Sequence, residues 1–212
     1  MLYYYFPFIT TYSIFSLLSF IIDILSTKIK FIKELKADPL SYNEYIAIYK
    51  KIYPQVFKNV FISTLPISLL IETLYTNYNG LDFMTVILDL YLINILSSLS
   101  FYWLHRLFHA PKLYKYHKKH HELKISVGMG AAYASVYDFL IVNLFPTGII
   151  PVFVGVNPLV LKYWLILYTI GTVLAHSNLK YVSQHDYHHK YFTYNFGTYW
   201  IDKMYGTVYK NK

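Results

Sequence analysis

Residues 101–121 read FYWLHRLFHAPKLYKYHKKHH, and five of these positions are histidine. On a helix, residues three and four apart share a face. His105 and His109 are spaced i, i+4, and His117, His120 and His121 are spaced i, i+3, i+4. HDYHH at 185–189 repeats the second spacing with His185, His188 and His189. His176, just upstream, completes the nine histidines of the chain. Neutral imidazole is a common ligand for iron, zinc, copper and nickel. A single zinc takes four ligands, so nine imidazoles exceed the demand of one ion and suit two. Without a metal, such crowding brings repulsion whenever the rings protonate.

The histidine groups lie between apolar runs. The 212-residue chain is 56% hydrophobic and only 14% charged, where soluble domains carry roughly 25% charged residues. Apolar runs of about 20 residues are long enough to cross a bilayer as helices. Such runs stand at about 4–25, 56–76 (interrupted by Pro66), 83–104, 132–153 and 158–175. The last two form a hairpin across VGVNP, whose Gly155, Asn157 and Pro158 break helices. The expected fold is an all-α integral membrane protein of four to five transmembrane helices, capped on one side by the histidine-rich helical segments. No Lys or Arg precedes the first run, so it reads as a retained span rather than a cleavable leader.

The net charge of +8 follows the same topology. Seven lysines fall in 28–58, Arg106 and five lysines in 106–124, and five lysines in 180–212. The turns near 77–82 and 154–157 carry none, and Lys162 stands alone. The positive-inside rule makes the rich side cytoplasmic, which sets every histidine group on that face. The basic charge is an orientation signal, and no nucleic-acid-binding motif accompanies it. Segment 28–58 is expected to lie on the membrane surface as a basic, partly amphipathic piece. The chain has no cysteine, which excludes a disulfide framework and an iron–sulfur cluster.

Carboxylates at membrane depth are expensive and face a partner or a cavity. Asp89 and Asp138 are of this kind, with structural pairing expected for Asp89. Asp186, Asp202 and Arg106 are candidates to orient ligands from behind the histidines. Asp186 points off the histidine face, so helix packing is its alternative, and for Arg106 a lipid headgroup contact competes. Phe101, Tyr102 and Trp103 fit either a lipid slot or an interfacial aromatic belt.

The order HxxxH, HxxHH, HxxHH in a chain with several spans resembles the fatty acid hydroxylase/sterol desaturase superfamily. The likeness covers about residues 90–209. FYWLHRLFHAPKLYKYHKKHH looks like that family's first two histidine boxes, and HDYHHKYFTYNFGTYWIDKMYGT like its third box and C-terminal signature. HDYHH with NFG and DKMYGT is similar to the C-4 methylsterol oxidases, YASVYDF at 133–139 is closer to cholesterol 25-hydroxylases, and YFTYNFG is similar to sterol C-5 desaturases. Many relatives carry a histidine where this chain has Ser135 and an acidic residue where it has Ser98. Only eight residues separate His176 from His185, which is short for the family.

The resemblance implies an N-terminal unit of membrane and interfacial helices (1–89) and a di-iron domain (90–209). It implies two non-haem iron ions held by His105, His109, His117, His120, His121, His176, His185, His188 and His189. It further implies O2 and two electrons from a separate donor, cytochrome b5 or an NAD(P)H-dependent reductase. The expected activity is hydroxylation, oxidation or desaturation of a sterol or other long-chain lipid in lipid biosynthesis, in the endoplasmic reticulum membrane. The chemistry agrees: an unactivated C–H bond is beyond side-chain acids and bases, so a metal must carry the step. The alternative expectation is a catalytically inactive relative serving as a structural or sterol-binding membrane protein.

Overall fold

The computed structural model describes residues 2–75, 82–182 and 184–210. The expected turn near 77–82 lies largely outside them. Helices α1 (Tyr5–Ser26), α3 (Tyr42–Leu74), α4 (Phe83–Phe108), α6 (Val136–Phe153) and α7 (Pro158–Ala175) are each long and apolar enough to cross a membrane. Shorter helices α2 (Lys30–Leu35), α5 (Tyr114–His117), α8 (Gln184–Tyr191) and α9 (Tyr199–Met204) lie between and after them. No strand forms among the described residues; a lone bridge joins Lys36 to Leu179. Large apolar side chains such as Phe6, Leu17, Leu88 and Leu167 stay exposed on the long helices, as a lipid-facing surface requires.

Segment 28–58 is mostly helical. Its second half is the first half of α3, which runs on into the apolar stretch without a break. A capping box starts this helix: Glu44 N–H donates to Ser41 Oγ, and Ser41 N–H donates to Glu44 Oε2. Tyr45, Tyr49, Ile52 and Val56 then fall on one face and are buried, in a core shared with Val127, Ala131 and Phe139. The polar residues between them form the outer face of a half-buried helix.

Wide helical turns occur at Lys58–Ser63 in α3 and Phe139–Ile149 in α6. Pro146 cannot donate to the helical ladder, and the wide turn around it leaves its carbonyl free to accept from Ser97 Oγ at 2.9 Å. In α3 the wide turn presents Asn59. Its Nδ2 donates to the carbonyls of Ala132 and Ala134 at 2.8 and 3.0 Å, which clamps the backbone on both sides of Tyr133.

Lys36 is no orientation charge. It is 1% exposed, and its ammonium donates to Asp23 and, at 2.7 Å, to the Ser177 carbonyl. Asp23 also accepts from the Tyr49 hydroxyl at 2.6 Å. Ala37 N–H donates to Asn178 O, and Lys180 N–H donates to Leu35 O, both at 3.0 Å. The chain beyond α7 is thereby tied to the loop between α2 and α3. Asp89 accepts from Asn157 N–H at 2.7 Å, the structural pairing expected of it.

Candidate metal centre

α4 carries His105 one turn from its end, and His109 caps its C-terminus. Pro111 follows, so the helix stops and the chain folds back to deliver His117 at the end of α5. A tight turn, His120–Glu122, presents His120 and His121. His176 caps the C-terminus of α7, and α8 carries His185, His188 and His189. The nine side chains converge in two groups. His105, His109, His117, His121 and His188 form one, and His120, His176, His185 and His189 form the other. In each group the nearest ring nitrogens lie within 4.8 Å of one another.

The outer ring nitrogens reveal what the inner ones do. Nδ1–H donates to a backbone carbonyl from His105 (Phe196, 2.6 Å), His188 (Tyr194, 2.6 Å), His176 (Thr172, 2.8 Å), His189 (Leu123, 3.0 Å) and His120 (Tyr133, 3.2 Å). His117 Nδ1–H donates to Asp138 Oδ2 at 2.8 Å. A carbonyl only accepts, so the proton sits on Nδ1 and Nε2 keeps a bare lone pair. Yet Nε2 of His105 and His117 face each other at 3.1 Å, and those of His120 and His176 at 3.4 Å. His121 Nε2 lies 3.0, 3.1 and 3.2 Å from those of His117, His109 and His188. One proton can serve at most one of those three contacts. His189 Nε2 is buried with no hydrogen-bond partner among the described residues.

Lone pairs aimed at one another repel unless a cation lies between them. Two nitrogens about 2.1 Å from one ion are about 3.0 Å apart at a right angle and about 3.4 Å apart at a tetrahedral one. The spacings of both groups match, and the donor set fits a divalent transition metal such as iron. Burial acts in the same direction by keeping the rings neutral. It pushes His109, with help from neighbouring His117, down to about 3, and His176 down to about 4. Burial likewise holds His120, His185, His188 and His189 well below their ordinary value. Ligands must be unprotonated to bind.

The residues around the histidines take several different places. Asp138 makes the direct carboxylate contact to a histidine; a carboxylate at the start of an apolar run was its signal. Asp202 acts one step removed. It accepts from the N–H groups of Phe196 and Gly197, both at 2.9 Å, and from Thr207 Oγ1 at 2.7 Å, which fixes the peptide whose carbonyl holds His105. Asp186 faces away, as its position predicts, and accepts from Ser126 Oγ; burial lifts its carboxyl to about 7. Arg106 donates to the Tyr102 hydroxyl at 3.0 Å and lies over the Trp103 ring. It turns from the histidines toward this aromatic group. Ser135, the position of a histidine in many relatives, caps α6 by accepting from Asp138 N–H at 3.2 Å. Of the three aromatics, Tyr102 is buried core, Trp103 is exposed and Phe101 lines a cavity. The carbonyls that orient the rings carried no signal, because every residue has one.

That cavity has a volume of about 310 Å³. His105, His117, His120, His176 and His185 line it together with residues of α4, α6 and α7 and with Gly197 and Thr198.

A model of the fatty acid hydroxylase family matches residues 90–207. The chain belongs to the fatty acid hydroxylase family. It is 31% identical over 128 residues to fatty acid hydroxylase domain-containing protein 2 of Homo sapiens, covering 57% of this chain and 38% of that one. It is 32% identical over 127 residues to methylsterol monooxygenase 1 of Rattus norvegicus, covering 50% and 41%. It is 29% identical over 153 residues to a Delta(7)-sterol 5(6)-desaturase of Gibberella zeae, covering 63% and 46%. The chain therefore spans less than half the length of these curated relatives. No solved structure matches it. Family members with such names are oxidoreductases acting on sterols and fatty acids. The five apolar helices of this family member are long enough to cross a membrane, and its histidine groups could hold metal ions.

Proposed function

We propose that this chain is a membrane-bound non-haem di-iron oxygenase acting on a sterol or another long-chain lipid. It consumes O2 and two electrons from a separate donor, cytochrome b5 or an NAD(P)H-dependent reductase. Hydroxylation is favoured over desaturation. The observation that carries this proposal is the facing of bare imidazole lone pairs in two buried groups beside an apolar cavity. Residues 90–209 form the di-iron domain, and 1–89 support it as membrane and interfacial helices. The histidine face is cytoplasmic and the membrane is the endoplasmic reticulum; the basic segments support the first assignment.

The nine histidines hold two irons, five on one and four on the other. When bound, iron supplies O2 activation and the oxidising power to break an unactivated C–H bond. The protein does the rest. Asp138 and five backbone carbonyls hold each proton on Nδ1, so every Nε2 they govern stays available as a ligand. Asp202 stiffens the peptide behind His105. The apolar walls, Phe101 and Val142 among them, exclude water and orient the hydrocarbon so that one carbon faces the histidines. A lipid reaches this cavity without leaving hydrocarbon, because its walls are membrane-spanning helices.

The test is metal content on detergent-purified protein after iron-supplemented expression. About two irons per chain are expected, with loss of one or both in His120→Ala. A folded wild-type chain that binds no metal would sink the proposal.

A further inference from the structure

The cavity beside the histidines is apolar along most of its wall, with a small further polar set. Ser98 and Asn143 line it. Among the described residues, neither the Ser98 hydroxyl nor the Asn143 amide has a hydrogen-bond partner; Asn143 uses only its backbone carbonyl, toward Thr147. Tyr168 and Thr172 add two hydroxyls to the same wall. All four residues lie on membrane-spanning helices. An unpartnered polar group at that depth costs several kcal/mol, so two of them opening into one cavity mark a place for a ligand atom. Ser98 stands seven residues before His105 on α4, about 10 Å from it at 1.5 Å per residue. Tyr168 stands eight residues before His176 on α7, about 12 Å away.

We infer that the cavity takes a neutral lipid alcohol, its hydroxyl held by Ser98 and Asn143, with Ser98 about 10 Å along α4 from His105. This deepens the oxygenase proposal and rests on it for the identity of the metal. The chemistry of the wall chooses the head group. Serine and asparagine each donate and accept, which matches a hydroxyl, itself donor and acceptor. An ionised fatty acid needs a cation, and no Lys or Arg lines the cavity. A pure hydrocarbon leaves both polar groups unpaired. Sites built to hydrogen-bond a substrate hydroxyl reject the analogue lacking it far more strongly than apolar pockets reject a missing methylene. Gly171 lines the same cavity, and a Cβ added there meets nothing within 4 Å, so a larger side chain at this position fits without displacing protein.

The test is binding to the full chain in nanodiscs, read by native mass spectrometry. The probes are cholesterol against cholest-5-ene, 1-hexadecanol against hexadecane, and palmitate. The expected result is that at least one alcohol binds tenfold or more tightly than its deoxy partner and than palmitate. Asn143→Leu combined with Ser98→Ala should bring that ratio to within twofold of unity. Gly171→Leu should weaken alcohol and deoxy partner alike by tenfold or more, with iron content and melting temperature unchanged. Wild-type protein preferring neither alcohol, or a preference that survives the double variant, overturns the inference. So does undiminished binding in Gly171→Leu, which keeps the test decisive should the double variant misfold. Iron measured on the same samples separates the two proposals. Iron with no alcohol preference defeats this inference alone. Alcohol preference without iron defeats the oxygenase proposal and leaves the lipid site standing.

Discussion

Two buried polar assemblies sit side by side in this molecule, and they are built on opposite rules. The Asp23–Lys36–Tyr49 knot balances itself. A cation donates to a carboxylate and a carbonyl, a hydroxyl fills the second carboxylate oxygen, and nothing further is needed. The histidine centre does not balance. Its outward nitrogens are satisfied and its inward ones face like against like. Burial alone therefore does not distinguish structure from function here. The distinction is whether donors and acceptors match within the protein, and only the histidine centre leaves a space that a cation alone can fill.

The hardest test of that contrast is His120→Ala. It should remove at least one metal and lower lipid turnover by a thousandfold or more, with the helical fold retained by circular dichroism. Lys36→Met should do the reverse in kind. It leaves Asp23 buried and unpaired, at a cost of about 3–5 kcal/mol, seen as a large drop in melting temperature in detergent. The double variant Asp23→Leu/Lys36→Met should recover most of that loss, because a buried pair exchanged for apolar groups is often close to neutral. No such double replacement can restore metal at the histidines.

Asp138→Asn lies between the two. The amide keeps the shape but takes the charge from behind His117, and iron affinity should fall about 10- to 100-fold in a chelator competition with little change in fold. The pH response follows in sign from the depressed histidines. His109 and His176 stay neutral in the folded chain down to about 3 and 4, against an ordinary value of 6.5. Below 6.5 the unfolded chain takes up protons that the folded chain refuses. Melting temperature of the metal-free protein should thus hold above pH 6.5 and fall progressively as pH drops toward 4. A melting temperature flat across that range would contradict the neutral, buried state of these rings. Arg106→Gln should have the smallest effect, within about 0.5 kcal/mol of wild type, because Arg106 is itself exposed and its one side-chain hydrogen bond among the described residues is to the Tyr102 hydroxyl.

The five spans and the histidine groups were legible because both are periodic. Apolar length marks a membrane helix, and i, i+3, i+4 spacing marks a shared face. What escaped depends on partners distant in sequence. Lys36 read as one more basic residue, since nothing local shows that Asp23 and Ser177 surround it. The continuity of α3 escaped because tyrosines at 45 and 49 bury a face that looks polar when read alone. Asp138 drew notice as a costly carboxylate, yet its partner His117 lies 21 residues away. The division of nine histidines into five and four required the fold itself, because both groups draw on the 117–121 box and on α8.

That shared ancestry of the two groups bears on how the protein is made. One group joins His105 to His188 and the other joins His120 to His189, so neither closes until the ribosome has passed α8, after all five long apolar helices of the described residues have been synthesised. The first five histidines wait, exposed and incomplete, while the remaining two spans insert. A chain truncated before residue 185 would carry all five long apolar helices of the described residues and neither complete histidine group.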